Sequence, residues 1–318
     1  MLSGQPRKKT LLIDCDPGID DAIMLMIAFI WQEQLEIKGI TCVSGNQTAA
    51  RTFMNARRIA SHFGKILPIA RGAVKPLIKP PIYSEEVNGK TGLEGMQVTT
   101  SCIPADPRSA FDLICEVLSE TDSKITWIAT APLTNLAHVL SVRPQLKEKI
   151  DHITLMGGSS GRGNMTNTAE FNIFVDPEAA KIVFDSGIPI VMFGLDVTLK
   201  AYSTREDIEE IVRLGNKASR LLGDVLHYYL PFSEKSGLSG APIHDACTMI
   251  YELKPELFSG IKQVSVDVDT SGGVDYGRTI IDFAHRSSSA NNVSFVTDVD
   301  RKAFNHFLYQ CCARFESQ

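Results

Sequence analysis

Eight consecutive residues hold four carboxylates: Asp14-Cys15-Asp16-Pro17-Gly18-Ile19-Asp20-Asp21. No Lys or Arg lies among them. Two carboxylates about 5 Å apart repel by roughly 3 kcal/mol at an effective dielectric near 20. Such a cluster beside apolar chain calls for protons, cationic partners or a metal ion. Asp20 and Asp21 also suit the positive end of a following helix. Ligands that are all oxygen favour Ca2+ or Mg2+ over Zn2+. Asp14 and Asp16 lie at a strand end and are expected to point to opposite faces, so that only one enters the site.

Two more stretches carry chemistry. Residues 163–172, Gly163-Asn164-Met165-Thr166-Asn167-Thr168-Ala169-Glu170-Phe171-Asn172, combine amides with one carboxylate. That mixture of donors and acceptors suits vicinal hydroxyls, although a turn-rich surface loop has a similar composition. Pro242-Ile243-His244-Asp245-Ala246 sets a His beside an acid at a helix start. Alone, this pair reads equally well as a cap with its partner.

The surrounding pattern supplies the scaffold. Apolar residues 10–13 read as a buried strand and residues 20–31 as a buried helix. Strands are expected at 37–43, 67–70, 125–130, 150–156 and 188–193. Helices are expected at 48–63, 109–118, 176–186, 203–229, 242–253 and 301–315. This alternation predicts an α/β fold, a single domain over residues 1–318 with a doubly wound, mostly parallel sheet. Residues 261–283 and 292–297 alternate like small antiparallel additions near the C-terminus. Residues 1–9 are polar and basic and read as a flexible extension. Residues 71–107, rich in Pro and Gly, break the rhythm and read as a lid. Ligands in such a sheet bind beyond the carboxyl ends of the strands. The polar residues expected there are Asp16, Asn46, Thr130, the 157–163 loop and Asp196.

At 318 residues with 44% hydrophobic and 22% charged residues, the chain can build a full core. A net charge of −5 gives no reason to expect nucleic acid or an anionic membrane as partner. Seven Cys without a C-x-x-C spacing argue against a disulfide framework and for a reducing compartment, hence a cytoplasmic location. The longest apolar run near the N-terminus is too short to span a bilayer.

The stretch from Asp14 to Ala22 resembles the N-terminal signature of the inosine-uridine-preferring nucleoside hydrolases. Loop 163–172, followed by Asp176-Pro177-Glu178-Ala179-Ala180, resembles that family's sugar-binding segment, and residues 242–246 its late motif. The resemblance implies hydrolysis of the N-glycosidic bond of ribonucleosides with a Ca2+-bound water. It places Ca2+ on Asp16, Asp21, the Thr130 carbonyl and Asp245. It places Asp20, Asn164, Glu170 and Asn172 on the sugar hydroxyls, with Asn46 and Met156 nearby. Asp16 is then the base and His244 the acid for the departing nucleobase. Phe171 would offer an aromatic face to the sugar cation. Tyr228 and Phe232, one helical turn apart, are candidates for the base pocket, with core packing as the alternative. A homodimer or homotetramer is the implied assembly. Many family members carry a His beside Gly89, where this chain has Asn88. Two other readings remain: a Ca2+-dependent nucleoside-binding protein, and a Mg2+-dependent phosphatase of the haloacid dehalogenase type, whose D-x-D strand end Asp14-Cys15-Asp16 superficially matches.

Overall fold

The computed structural model describes residues 8–315. Among the described residues thirteen strands run in chain order. β1 is Lys9–Cys15, β2 Leu35–Cys42, β3 Ile69–Arg71, β4 Ile125–Ala129, β5 Ile150–Met156 and β6 Ile190–Phe193. β7 is Tyr202–Ser203, β8 Ala241–Pro242, β9 Phe258–Ser259, β10 Lys262–Val268, β11 Thr279–Asp282, β12 Val293–Phe295 and β13 Asp298–Val299. The helices begin with α1 (Ile19–Ile30), α2 (Ala49–His62), α3 (Glu85–Asn88), α4 (Ala110–Glu120), α5 (Thr134–Val142) and α6 (Phe171–Val175). They continue with α7 (Pro177–Phe184), α8 (Leu195–Thr198), α9 (Arg205–Val212), α10 (Lys217–Lys235), α11 (Ala246–Leu253) and α12 (Arg301–Phe315).

Nine strands form one sheet in the order β11-β10-β12-β6-β5-β4-β1-β2-β3. β12 through β3 are parallel neighbours, whereas β10 pairs antiparallel with both β11 and β12. The expected α/β architecture is therefore present. The antiparallel strands extend one edge of the main sheet, and β12 itself runs parallel to β6. Two small antiparallel pairs, β7 with β8 and β9 with β13, stand apart.

Strand alternation divides the core. Leu11, Ile13 and Cys15 face one apolar cluster with α1, α10, α11 and α12. Leu12, Trp127, Ala129 and Leu155 face a second, with α4, α5 and α7. Helix α1 is apolar nearly all round, and residues Ala22 to Ile30 are at most 1% exposed. A helix of that kind belongs inside. Each fully buried Leu or Ile contributes about 1.5–3 kcal/mol relative to exposure.

The sheet register levels the strand ends. Asp14 lies beside Thr41 and Ala129, Ala129 beside Leu155, and Leu155 beside Met192. The loops that follow β1, β2, β4, β5 and β6 therefore open onto one edge. Three expectations need correction. Lys9 starts β1 rather than ending an extension, and its Nζ donates to Glu252; residues 1–7 lie outside the described residues. The helix expected over 203–229 is two, α9 and α10, parted at Gly215, whose φ of 70° suits glycine. Helix α11 starts at Ala246, because Ala241 and Pro242 pair as a strand with β7. Among the described residues no helix is long and apolar enough to cross a membrane, and all seven cysteines are free.

Candidate active site

A cavity of about 800 Å³ lies at this edge, its wall including Asp20, Asn46, Thr130, Asn172, His244 and Asp245. Among the described residues no Lys or Arg lines it. Asp20 and Asp21 open helix α1, and Asp245 stands just before α11. Helices α1 and α11 pack against each other, and this brings together acids more than 200 residues apart. Asp20, Asp21 and Asp245 offer carboxylate oxygens all within 4.8 Å of one another.

Asp21 and Asp245 are 0% and 3% exposed. Burial raises the pKa of Asp245, and the charges of Asp20, Asp21 and Asp16 raise it further. Burial likewise pushes Asp21 to about 7, with Asp20 adding to the shift and hydrogen bonds from Gly18 and Thr130 opposing it. Buried acids this close require shared protons or a cation. With all-oxygen donors and, among the described residues, no Lys or Arg in the wall, they fit a hard divalent cation.

Asp20, expected on the sugar, stands within this triad, and Asp16, expected as a ligand, is tied to it through Asn46 Nδ2, which donates to Asp16 Oδ1 and Asp21 Oδ2, both at 3.2 Å. Asp16 is fully buried. Its Oδ2 accepts from the Asn46 backbone N–H (2.7 Å) and its Oδ1 from Asn46 Nδ2 (3.2 Å). Burial, followed by the charge of Asp21, raises its pKa, and the Asn46 backbone bond opposes this. Asp14 is turned elsewhere. Its Oδ1 accepts from Thr41 Oγ1 (2.6 Å) and Asn135 Nδ2 (2.8 Å). Strand alternation does not part the two, since residues two apart share a face. They diverge because β1 ends at Cys15, between them.

The other wall is built from loop 163–172. Glu170 caps α6, its Oε2 accepting from Ile173 N–H (3.2 Å) and Gly158 N–H (2.9 Å). Burial pushes Glu170 to about 7 against these bonds. Asn172 Nδ2 donates to the Thr130 and Met156 carbonyls, both at 3.1 Å. Asn164 Oδ1 accepts from Phe171 N–H (2.9 Å). Thr130 Oγ1 donates to Asp21 (2.8 Å). His244 meets Thr198 Oγ1 through Nδ1 (2.8 Å), and burial lowers its pKa although Asp20 opposes this.

Residues Asp20, Asn46, Thr130, Met156, Asn164, Glu170, Phe171, Asn172, Phe232, His244 and Asp245 thus all line one cavity. Tyr228 does not: its ring packs against Gly95, where a Cβ would come within 2.8 Å of it. Tyr229 lines the cavity instead, stacked on Phe232 at 5.7 Å. The inward stripe of α10 runs Val225, Leu226, Tyr229, Phe232, and reading that stripe from the sequence would have found Tyr229. Asp196 is not in the wall; it accepts from Ser160 N–H (2.9 Å) and holds the 157–163 loop. The expected lid contributes Tyr83 to Asn88 as a wall of the cavity.

Comparison with known proteins agrees with this geometry. The model of the inosine-uridine preferring nucleoside hydrolase family matches residues 11–306. A pyrimidine-specific ribonucleoside hydrolase RihA of Klebsiella pneumoniae is 42% identical over 303 residues, 94% of this chain and 97% of that protein. Its namesake from Escherichia coli O127:H6 is 42% identical over 301 residues, 94% and 96% of the two chains. Among solved structures, a purine-preferring ribonucleoside hydrolase from Gardnerella vaginalis superposes with TM-score 0.89 at 29% identity, covering 98% of this chain and all of that one. These likenesses set aside the phosphatase alternative. The acidic triad at the head of α1 and α11 thus stands in a member of the inosine-uridine preferring nucleoside hydrolase family, an N-glycosidase that hydrolyses ribonucleosides.

Proposed function

We propose that the protein cleaves pyrimidine ribonucleosides with a Ca2+ ion held in the acidic cluster. The observation that carries the reading is the convergence of Asp20, Asp21 and Asp245 within 4.8 Å of one another, with Asp20 and Asp245 in the wall of a cavity that no Lys or Arg lines among the described residues. Asp21, Asp245, Asp16 and the Thr130 carbonyl would hold the ion, since irregular, oxygen-only coordination suits Ca2+ better than Mg2+. When bound, such a cation supplies Lewis acidity toward water and an anchor for hydroxyl oxygens. Asp16, kept in place by Asn46, is the base. Asp20, Asn164, Glu170 and Asn172 bind ribose hydroxyls through matched donors and acceptors, with Asn46 and Met156 shaping the floor. The carboxylates also stabilise the positive charge that grows on the sugar ring, and Phe171 lends it an aromatic face.

His244 serves the departing base. With Nδ1 on Thr198, Nε2 is the nitrogen available to it. Tyr229 and Phe232 offer stacked rings for the base plane. The pyrimidine preference rests on the relatives named pyrimidine-specific; the purine-preferring homologue is more distant at 29% identity.

The test is a reducing-sugar assay with uridine, cytidine, inosine and guanosine, each with and without chelator. Chelator-sensitive turnover that favours uridine and cytidine is expected. Equal turnover of all four would remove the base preference, and turnover indifferent to exhaustive chelation would remove the metal. In His244→Ala, uridine cleavage should fall about 10²-fold, with little change for nitrophenyl riboside, whose leaving group needs no acid. Equal losses on both would exclude the acid role.

A further inference from the structure

Asn88, at the end of one-turn helix α3, is 3% exposed and lines the cavity. Its Oδ1 accepts from the Ile19 backbone N–H (3.0 Å), and its Nδ2 donates to Asn46 Oδ1 (2.9 Å). Asn46 in turn donates through Nδ2 to Asp16 Oδ1 and Asp21 Oδ2, both at 3.2 Å. The polarity of this chain is set from both ends. Ile19 N–H can only donate, so Asn88 must present oxygen to it. Asn88 then offers its amine to Asn46, which must present oxygen back. That leaves the Asn46 amine for Asp16 and Asp21, which as carboxylates only accept.

Helix α1 also lacks a side-chain cap of its own, because Gly18 occupies its N-cap position. A side chain has no room there: a Cβ on Gly18 would overlap Asn88 Oδ1. An acceptor for the first turn comes from Asn88, 69 residues further on, whose Oδ1 takes the otherwise unpaired N–H of the first helical residue, Ile19. The same segment is tied down by Gln47 Nε2 on the Gly89 carbonyl (2.8 Å) and by Asn55 Nδ2 on the Thr91 carbonyl (2.9 Å).

We propose that Asn88 is a positioning residue: through Asn46 and the Ile19 N–H it sets Asp16 and Asp21 in their working arrangement. Docking of the 83–92 segment and assembly of the carboxylates are then one event. Asn88 acts on the metal and water side of the reaction, not on the departing base. The proposal rests on the nucleoside hydrolase reading above.

The experiment compares wild type, Asn88→Ala and Asn88→Asp on uridine and on nitrophenyl riboside, with Ca2+ affinity measured by calorimetry on each protein. In Asn88→Ala, kcat falls about 10–100-fold on both substrates alike, KM changes less than about threefold, and Ca2+ binds about tenfold more weakly. Asn88→Asp is nearly the same size as Asn, yet it is the worse variant. It sets an oxygen against Asn46 Oδ1 and turns the Asn46 amide away from Asp16 and Asp21. A packing role alone ranks the two variants the other way, which would overturn the proposal. So would a loss confined to uridine, which would put Asn88 on the base, or unchanged kcat and Ca2+ affinity in Asn88→Ala. Should Asn88→Ala fail to fold, Asn88→Ser keeps one polar group at the site and carries the same expectations at smaller size. Wild type that binds Ca2+ but cleaves neither substrate would sink the hydrolase reading, while the three Ca2+ affinities would still judge the relay.

Discussion

Asp245 and Glu252 stand at opposite ends of helix α11, one in the cavity and one at the amino edge of the sheet. Both are at most 4% exposed. Burial raises Asp245, and its neighbours Asp20, Asp21 and Asp16 raise it further. Burial acts on Glu252 in the same direction, yet its pKa is lowered, because His152, Lys9 and Thr154 outweigh the desolvation. Glu252 Oε1 accepts from Thr154 Oγ1 (2.5 Å) and meets His152 Nε2 (3.0 Å), and its Oε2 accepts from Lys9 Nζ (3.0 Å). The helix therefore has a satisfied acid that anchors it to β1 and β5, and a crowded one left for chemistry. Perturbed acids that lack a cationic partner mark a functional site, while a paired buried acid marks an anchor.

The comparison breaks most visibly at the cavity end. Asp21→Asn should cut kcat on uridine about 10³-fold while leaving the chelator-treated protein as stable as wild type or more so, since it removes a repelled charge. A Tm fall of many degrees in that variant would mean that the triad is held together for structure. Glu252→Ala should do the reverse. It leaves Lys9 and His152 without their acid and costs about 2–3 kcal/mol in urea unfolding, the low end for a buried pair because Lys9 reaches solvent. Its kcat should stay within about threefold of wild type.

Metal removal distinguishes the two ends through pH. Asp14, Asp21 and Glu170 are each pushed by burial to about 7. Folded protein then holds protons that the unfolded chain releases above 3.8 or 4.5. Stability in chelator should therefore fall as pH rises from about 4 to 7. A fixed Ca2+ concentration, set at a hundred times the dissociation constant at pH 7, should restore about 2.7 kcal/mol at pH 7 and less at pH 5, where protonation weakens binding, read as a Tm difference. An equal Tm gain at both pH values would contradict this.

The smallest effect lies in the anchor. Burial works against a charged His152, but its contacts with Glu252 and Asp151 prevail and raise its pKa above 6.5. That contribution is present below 6.5 and lost as pH rises through the folded value. The Glu252 contribution is present above 4.5 and lost as pH falls through its lowered value. His152→Gln should thus cost about 1 kcal/mol, most of it between pH 4.5 and 6.5. A cost unchanged up to pH 9 would assign the contribution to packing.

Much of this was legible in the chain. The 10–13 and 125–130 apolar runs read as buried strands because a parallel sheet covered on both faces leaves no polar alternation. The density of acids from Asp14 to Asp21, the amide-rich loop and the His244-Asp245 pair each point to chemistry because such groups are costly to bury without a task. Those are local properties of composition and period, carried by the sequence alone. Which acids meet was not local. Asp20 and Asp21 meet Asp245, Asp14 is taken by Thr41 and Asn135, and Tyr229 rather than Tyr228 faces the cavity. Lys9 reaches Glu252 across 243 residues, and Asn88 caps a helix 69 residues before it. Hydrogen bonds are short-ranged and directional, so their pairing depends on ångström-scale placement of elements. Only the packed sheet and its helices supply that placement.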